Sequence, residues 1–416
     1  MRYKKIEKNN YEIYLLKTNK FKTITISTVV INKYKKSDIT KERLISNYLL
    51  NSNNNFKNEV LLSKEYMKLY DPRIGILDIF RDLHLKVFNL TFLNEKYTEK
   101  GMDKKTIDFY YDFIFNPNVE NNEFDPSQLK IVKKSLESAY IRDEDNSSEI
   151  AYFNALSHIT DDIPVKTDVR GNLNELNRIN DNDLYIDYSN NLKTGKYIVF
   201  VTGDYNDQTI KNIQTILDKK CQKNAYELKS YFKVTKSKKY KEIIEDSKFN
   251  QSIVYLIYKI IRMNNKEREY VLPVLNSILG GNSSKLFNNV REKNSMAYYA
   301  YSDFNVSNNI LFMYAGISFD NYEKCVNLMR EQLEDIINGK ITDEEIENAK
   351  ESIYSSILKS EDTLAGVSND LKAHILFDRH QNTVVKKNVE KVTKEEIVSL
   401  ANKLNLDVIY TLKGDK

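Results

Sequence analysis

The stretches Asp125–Asn146, DPSQLKIVKKSLESAYIRDEDN, and Thr342–Thr363, TDEEIENAKESIYSSILKSEDT, read as one helix written twice. Adding 217 to a residue number in the first gives its counterpart in the second, without a gap. Asp125 and Thr342 stand at the N-cap, with Gln128 and Glu345 as capping-box partners three residues on. Pro126 occupies the first helical position, where a missing N–H costs nothing. Leu129, Val132, Leu136 and Tyr140 mark one helical face, and Ile346, Ala349, Ile353 and Ile357 mark the same face again. Lys133, Ser135, Glu144 and Asp145 recur as Lys350, Ser352, Glu361 and Asp362. A period near half the chain length implies two related domains rather than a solenoid.

The flanking segments repeat in kind. FKTITISTVVI opens the first half as a strand and SIVYLIYKII opens the second. The expected strand pairs are LHLKVFNLTFL with DFYYDFIF, and MAYYAYSDF with ILFMYAGISF; YIVFVTGDY and DVIYTLKG close the halves. Long helices mixed with such strands predict an α+β fold, each domain a mostly antiparallel sheet packed with helices. The expected domains are 1–217 and 247–416, joined by a polar linker at 218–246.

Composition excludes several functions. The 63 basic and 59 acidic residues are intermixed, leaving a net charge of +4 and no basic block for nucleic acid. The locally basic run KVTKSKKYKEIIED is followed at once by acids and reads as solvated linker. Apolar runs such as IVYLIY are far too short to span a membrane. Cys221 and Cys325 fit neither a CxxC site nor a disulfide framework, and the N-terminal segment lacks the apolar core of a secretory signal. The expectation is a cytoplasmic protein with two reduced thiols.

Leu279–Phe304, LGGNSSKLFNNVREKNSMAYYAYSDF, reads as a Gly-Gly turn, a short helix and a tyrosine-rich strand. The Gly-Gly pair lacks the GK[ST] of a phosphate loop. Arg291 falls near the helix end and Tyr298 near the strand start. Spacing alone allows Arg291 to be a helix C-cap and Tyr298 an amphipathic strand residue. The segment also resembles the C-terminal-domain signature of the pitrilysin/insulinase zinc peptidases, which include mitochondrial processing peptidase. The likeness continues through ITDEEIENAKESI, and the stretch from ALSHITDDIPV to VFVTGDY is similar to the end of that family's N-terminal domain.

The resemblance implies a zinc motif, H-x-x-E-H, on an early helix, with two imidazoles on one face and a glutamate to activate water. The matching segment here, SDITKERLISNYLLNSNNNF, has no histidine. The distal glutamate would fall on the helix carrying Glu137. His84 reads as a strand residue, His158 as a helix end, and His374 and His380 as different sides of one helix. No metal and no cofactor is expected in this chain.

What matches is the family's Arg/Tyr pair, carried onto Arg291 and Tyr298. In the family the arginine holds substrate carbonyls and the phenol donates to the oxyanion, across a chamber from the zinc. EYMKLYDPRIGILDIFRDLHLKVFNLTFLNEKY is closer to the zinc-less partner subunits of bacterial two-subunit peptidases. The implied function is a non-catalytic subunit, supplying Arg291 and Tyr298 to a zinc-bearing paralogue in a heterodimer that cleaves peptides or unstructured leader segments. Substrates in this family add an extended strand to a sheet edge. The alternative is an inert scaffold or peptide-binding protein of the same fold.

Overall fold

A computed structural model describes residues 2–281 and 284–415. The strands, in chain order, are Lys4–Glu7 (β1), Tyr11–Lys17 (β2), Thr23–Asn32 (β3), Arg73–Phe80 (β4), His84–Leu93 (β5) and a short ladder of Val119–Glu120 (β6) with Glu123–Phe124 (β7). There follow Lys196–Gly203 (β8), Lys241–Asp246 (β9), Ser252–Ile260 (β10), Tyr299–Asn305 (β11), Ile310–Ile317 (β12) and Leu404–Lys413 (β13).

One sheet runs β1-β2-β8-β3-β5-β4 and the other β11-β12-β10-β13-β9. Each has the same plan. A central strand, β3 or β10, pairs antiparallel with a hairpin partner on one side and with the late strand, β8 or β13, on the other. That late strand then takes a parallel neighbour, β2 or β9. The α+β class expected from the sequence, with antiparallel pairing dominant, is the one observed. The last six residues expected as linker are the edge strand β9.

The compact units are assembled from both halves of the chain. One comprises residues 1–142, 169–228 and 360–372; the other comprises 143–168, 229–359 and 373–416. The exchanged segments begin at 143 and 360, positions related by the same 217-residue offset. In the second unit the helix Ser147–Ser157, from the first half of the sequence, packs Ala151, Ala155 and Leu156 on Ile253, Tyr255 and Ile257 of β10. The opposite face of β10 packs Val254 and Leu256 against Leu275, Met329 and Leu333. With both faces covered, β10 is buried along its whole length, which explains why its middle, IVYLIY, is a continuous apolar run and not an alternating one.

In the first unit Ile24, Ile26, Phe88 and Leu90 of the sheet meet Leu44, Ile45 and Tyr48 of the helix Ile39–Asn51. They also meet Ile107, Tyr110 and Ile114 of the helix Met102–Phe115. This last helix corrects a sequence expectation: DFYYDFIF is helical, and the strand that pairs with β5 is β4. Its aromatic residues favour strands intrinsically, but the 3- and 4-residue spacing of Ile107, Tyr110, Tyr111 and Ile114 puts them on one buried face. The second long repeat helix begins with the expected reciprocal capping box, whereas the first has only its N-cap half, because Asp125 N donates to the Tyr48 hydroxyl and not to Gln128. Gln128 N donates to Asp125 Oδ1 at 2.7 Å, while Glu345 N donates to Thr342 Oγ1 and Thr342 N to Glu345 Oε2. Among the described residues no helix is long and apolar enough to cross a membrane.

Candidate functional site

Arg291 and Tyr298 are presented by a tightly packed connection in the second unit. The helix Leu272–Gly280 ends against β11. A Cβ on Gly280 would stand 2.0 Å from Ser302 N, so only glycine lets helix and strand approach this closely. The short helix Leu286–Glu292 is anchored by buried Leu286 and Val290, and its free carbonyls are satisfied by the main chain: Ser295 N donates to Arg291 O and Met296 N to Val290 O. Ser295 turns with φ +50, and Tyr298 N then donates to Gly316 O, leading the chain into the sheet.

Both side chains line one open hollow of about 450 Å³, together with Glu292, Ser295, Ser318 and Asn321. Tyr298 is 68% exposed. The Arg291 guanidinium lies 5.0 Å from the Phe287 ring centre, and its Nε is 3.6 Å from Glu292 Oε1. None of its described contacts is with a helix carbonyl. The hollow therefore offers a guanidinium whose fork is little used and a solvent-facing phenol, the donor types suited to a carbonyl or an oxyanion.

The helix Ile39–Asn51 stands where the resemblance would place a zinc motif. Arg43 stacks over the Tyr140 ring at 4.9 Å and donates to Arg170 O. Glu42 and Ser46 face the β4–β5 hairpin. There Lys86 Nζ lies 2.7 Å from Asp78 Oδ1 and 3.3 Å from Glu42 Oε2, and it also donates to Ser46 Oγ. His84 Nε2 is 2.7 Å from Asp78 Oδ1. Burial raises the Asp78 pKa, but Lys86 and His84 outweigh it and hold the carboxyl well below its usual range. Glu137 is exposed on its helix. These residues do not fit a catalytic zinc: the helix supplies one carboxylate, already facing an ammonium, and no imidazole.

Each of the other three histidines has a partner of its own. His158 Nε2 is 3.5 Å from Glu245 Oε1, His374 Nδ1 is 2.8 Å from Arg379 O, and His380 Nδ1 bonds the Tyr270 hydroxyl. His380 lies beyond the helix Leu364–Phe377 and not on its far side. The sequence reading missed the Glu42–Asp78–His84–Lys86 cluster because it did not identify β4. Once β4 pairs with β5, Asp78 stands directly across from Lys86.

A second buried polar network ties the exchanged segment to its sheet. Lys259 of β10, wholly buried, places Nζ 2.6 Å from Thr160 Oγ1, 2.6 Å from Asp161 Oδ2 and 3.2 Å from Asp407 Oδ1.

Comparison with known proteins completes the picture. Residues 178–353 match the family described as the peptidase M16 inactive domain. The chain is 26% identical over 412 residues to the probable inactive metalloprotease YmfF of Bacillus subtilis, covering 96% of this chain and 95% of that one. A conserved protein from Enterococcus faecalis has the same fold, with a TM-score of 0.91 at 22% identity and 99% of each chain covered. An M16 inactive-domain structure from Pseudomonas fluorescens superposes with a TM-score of 0.79 at 13% identity, covering 100% of this chain and 98% of the other.

Proposed function

We propose that this chain, an inactive-type homologue of the M16-family metalloproteases, works as the zinc-less subunit of a heterodimeric peptidase. It lends Arg291 and Tyr298 to the active site of a zinc-bearing paralogue. The observation that carries this reading is the convergence of the two side chains on one open hollow, in a chain whose own early helix has no metal-ligand set. Donors of this kind act only where another group develops negative charge on a bound carbonyl, and here that group must come from a partner. An extended peptide or unstructured leader segment is the fitting substrate, because a guanidinium and a phenol recognise main-chain carbonyls without regard to sequence.

The test is co-expression with a zinc-motif paralogue from the same genome, followed by assay of each chain and of the pair on a quenched peptide library. The pair should cleave and neither chain alone should. Arg291→Ala and Tyr298→Phe pairs should assemble normally and lose about 10²-fold in turnover, the scale of a removed transition-state donor. Variant pairs as fast as the parent pair refute the role of the two residues. A chain that never associates and leaves every peptide intact favours the inert scaffold.

A further inference from the structure

The carboxylates of Glu42 and Asp78 and the imidazole of His84 have ligand atoms all within 4.8 Å of one another. Glu42 and His84 are each 2% exposed, and the His84 ring is stacked on Phe80 at 4.6 Å. Two carboxylates and one imidazole are a three-ligand set of the kind that holds Zn²⁺ or another first-row divalent ion, with a fourth position for water. In this chain the place of that ion is taken. Lys86 Nζ spends its three protons on Ser46 Oγ, Asp78 Oδ1 and Glu42 O. That leaves Glu42 Oε2 buried without a hydrogen bond, 3.3 Å from the ammonium. Glu42 Oε1 accepts from Asn191 Nδ2 at 2.9 Å, so Oε2 is the oxygen left to the cation, held by its charge and not by a well-directed hydrogen bond. Lys86 is itself 4% exposed and lies across from Asp78 in the hairpin, so its head has no second position in solvent.

We propose that Glu42, Asp78 and His84 form a divalent-cation site held shut by the tethered ammonium of Lys86. The lysine fixes the helix Ile39–Asn51 to the β4–β5 hairpin as a structural metal would, and it excludes the metal by occupying the same ground. Ion and ammonium are mutually exclusive because two cations 3–4 Å apart in a buried site repel strongly. The site is distinct from the Arg291/Tyr298 hollow and does not depend on the function proposed for it.

The experiment uses the full chain, stripped with EDTA and titrated with Zn²⁺ by calorimetry, with Co²⁺ absorption reporting the ligand field. The parent should bind neither ion at this site. Lys86→Met should bind one equivalent at least about 100-fold more tightly than the parent, with a rise in melting temperature on loading. Adding Glu42→Gln or His84→Ala to Lys86→Met should abolish that binding. Lys86→Ser, which leaves room for a water, serves as a second opening of the site if the methionine variant folds only with metal. Stoichiometric binding by the parent through these residues overturns the proposal. So does failure of both lysine variants to bind, or binding that survives His84→Ala.

Discussion

Replacing Lys259 by methionine keeps the length of the side chain and removes a single ammonium from near the C-terminal end of β10. Asp407, wholly buried, and Asp161, whose side chain is 13% exposed, then face one another's charge with no cation between them. Asp407 keeps its bonds from Thr160 N, Thr160 Oγ1 and Ser237 Oγ, and Asp161 keeps those from Thr235, so neither carboxylate is stripped bare. Breaking a buried pair by removing one partner costs about 3–5 kcal/mol, and the retained bonds put the expectation near 3. Urea unfolding of parent and variant, followed by far-UV circular dichroism and by the fluorescence of the 29 tyrosines, reads this directly, since the chain has no tryptophan. The pH dependence supplies the second half of the test. Burial raises both aspartates, but hydrogen bonds and Lys259 outweigh it and hold them below the ordinary 3.8. A depressed carboxylate stabilises the fold above its unfolded pKa and loses that contribution as the pH falls through its folded one. The gap between parent and Lys259→Met should therefore narrow in acid below about pH 4. Because Thr160 and Asp161 belong to the exchanged segment, the variant should also be cut more readily between 143 and 168 by a protease. A loss under about 1 kcal/mol at neutral pH, or a gap that stays constant in acid, refutes the reasoning.

Gly280→Ala drives a methyl group into Ser302 and should cost about 1–3 kcal/mol or more, seen as a lowered melting temperature; an unchanged melt would show that helix 272–280 can slide off β11 freely. Tyr298→Ala, at a side chain mostly in water, should stay within about 0.5 kcal/mol of the parent in the same melts, and a larger loss would make the tyrosine structural. Among the described residues Lys372 Nζ finds only long contacts, to Ser27 Oγ and Asn89 Oδ1 at 3.4 and 3.5 Å, and burial pulls its ammonium down to about 8. At pH 8 about half of it is neutral, against under ~1% for an ordinary lysine, so limited acetylation read by mass spectrometry should find Lys372 among the first sites modified. With its folded pKa below the unfolded value, the unfolded chain binds more protons between pH 8 and 10, and stability should rise across that window on this account.

What was legible in the sequence rested on local chemistry. The capping residues Asp125 and Thr342 act within three residues of themselves. The repeat helices declare their faces by their own spacing, β3 declares itself by its β-branched Thr, Ile and Val residues, and β10 by the apolar run Ile253–Tyr258. The Arg291–Tyr298 connection is local for the same reason: only seven residues of chain, a helix end and a strand start separate the two side chains, although Ser318 and Asn321 complete the hollow from farther along the sequence. DFYYDFIF was misread because strand propensity and helical spacing pointed in opposite directions, and burial of one face decided between them. Only tertiary structure decided the rest. Asp78 and Lys86 meet Glu42 from about 40 positions away, and Lys259 meets Asp161 and Asp407 from about 100 and 150, through strand registers that no local pattern specifies. The same holds for the reciprocal exchange of segments after the two long helices. A 217-residue period shows that the halves are alike, but an amphipathic helix such as Ser147–Ser157 records only that it has an apolar face. Which sheet covers that face is settled by packing: Ala151, Ala155 and Leu156 are buried against β10 of the second unit.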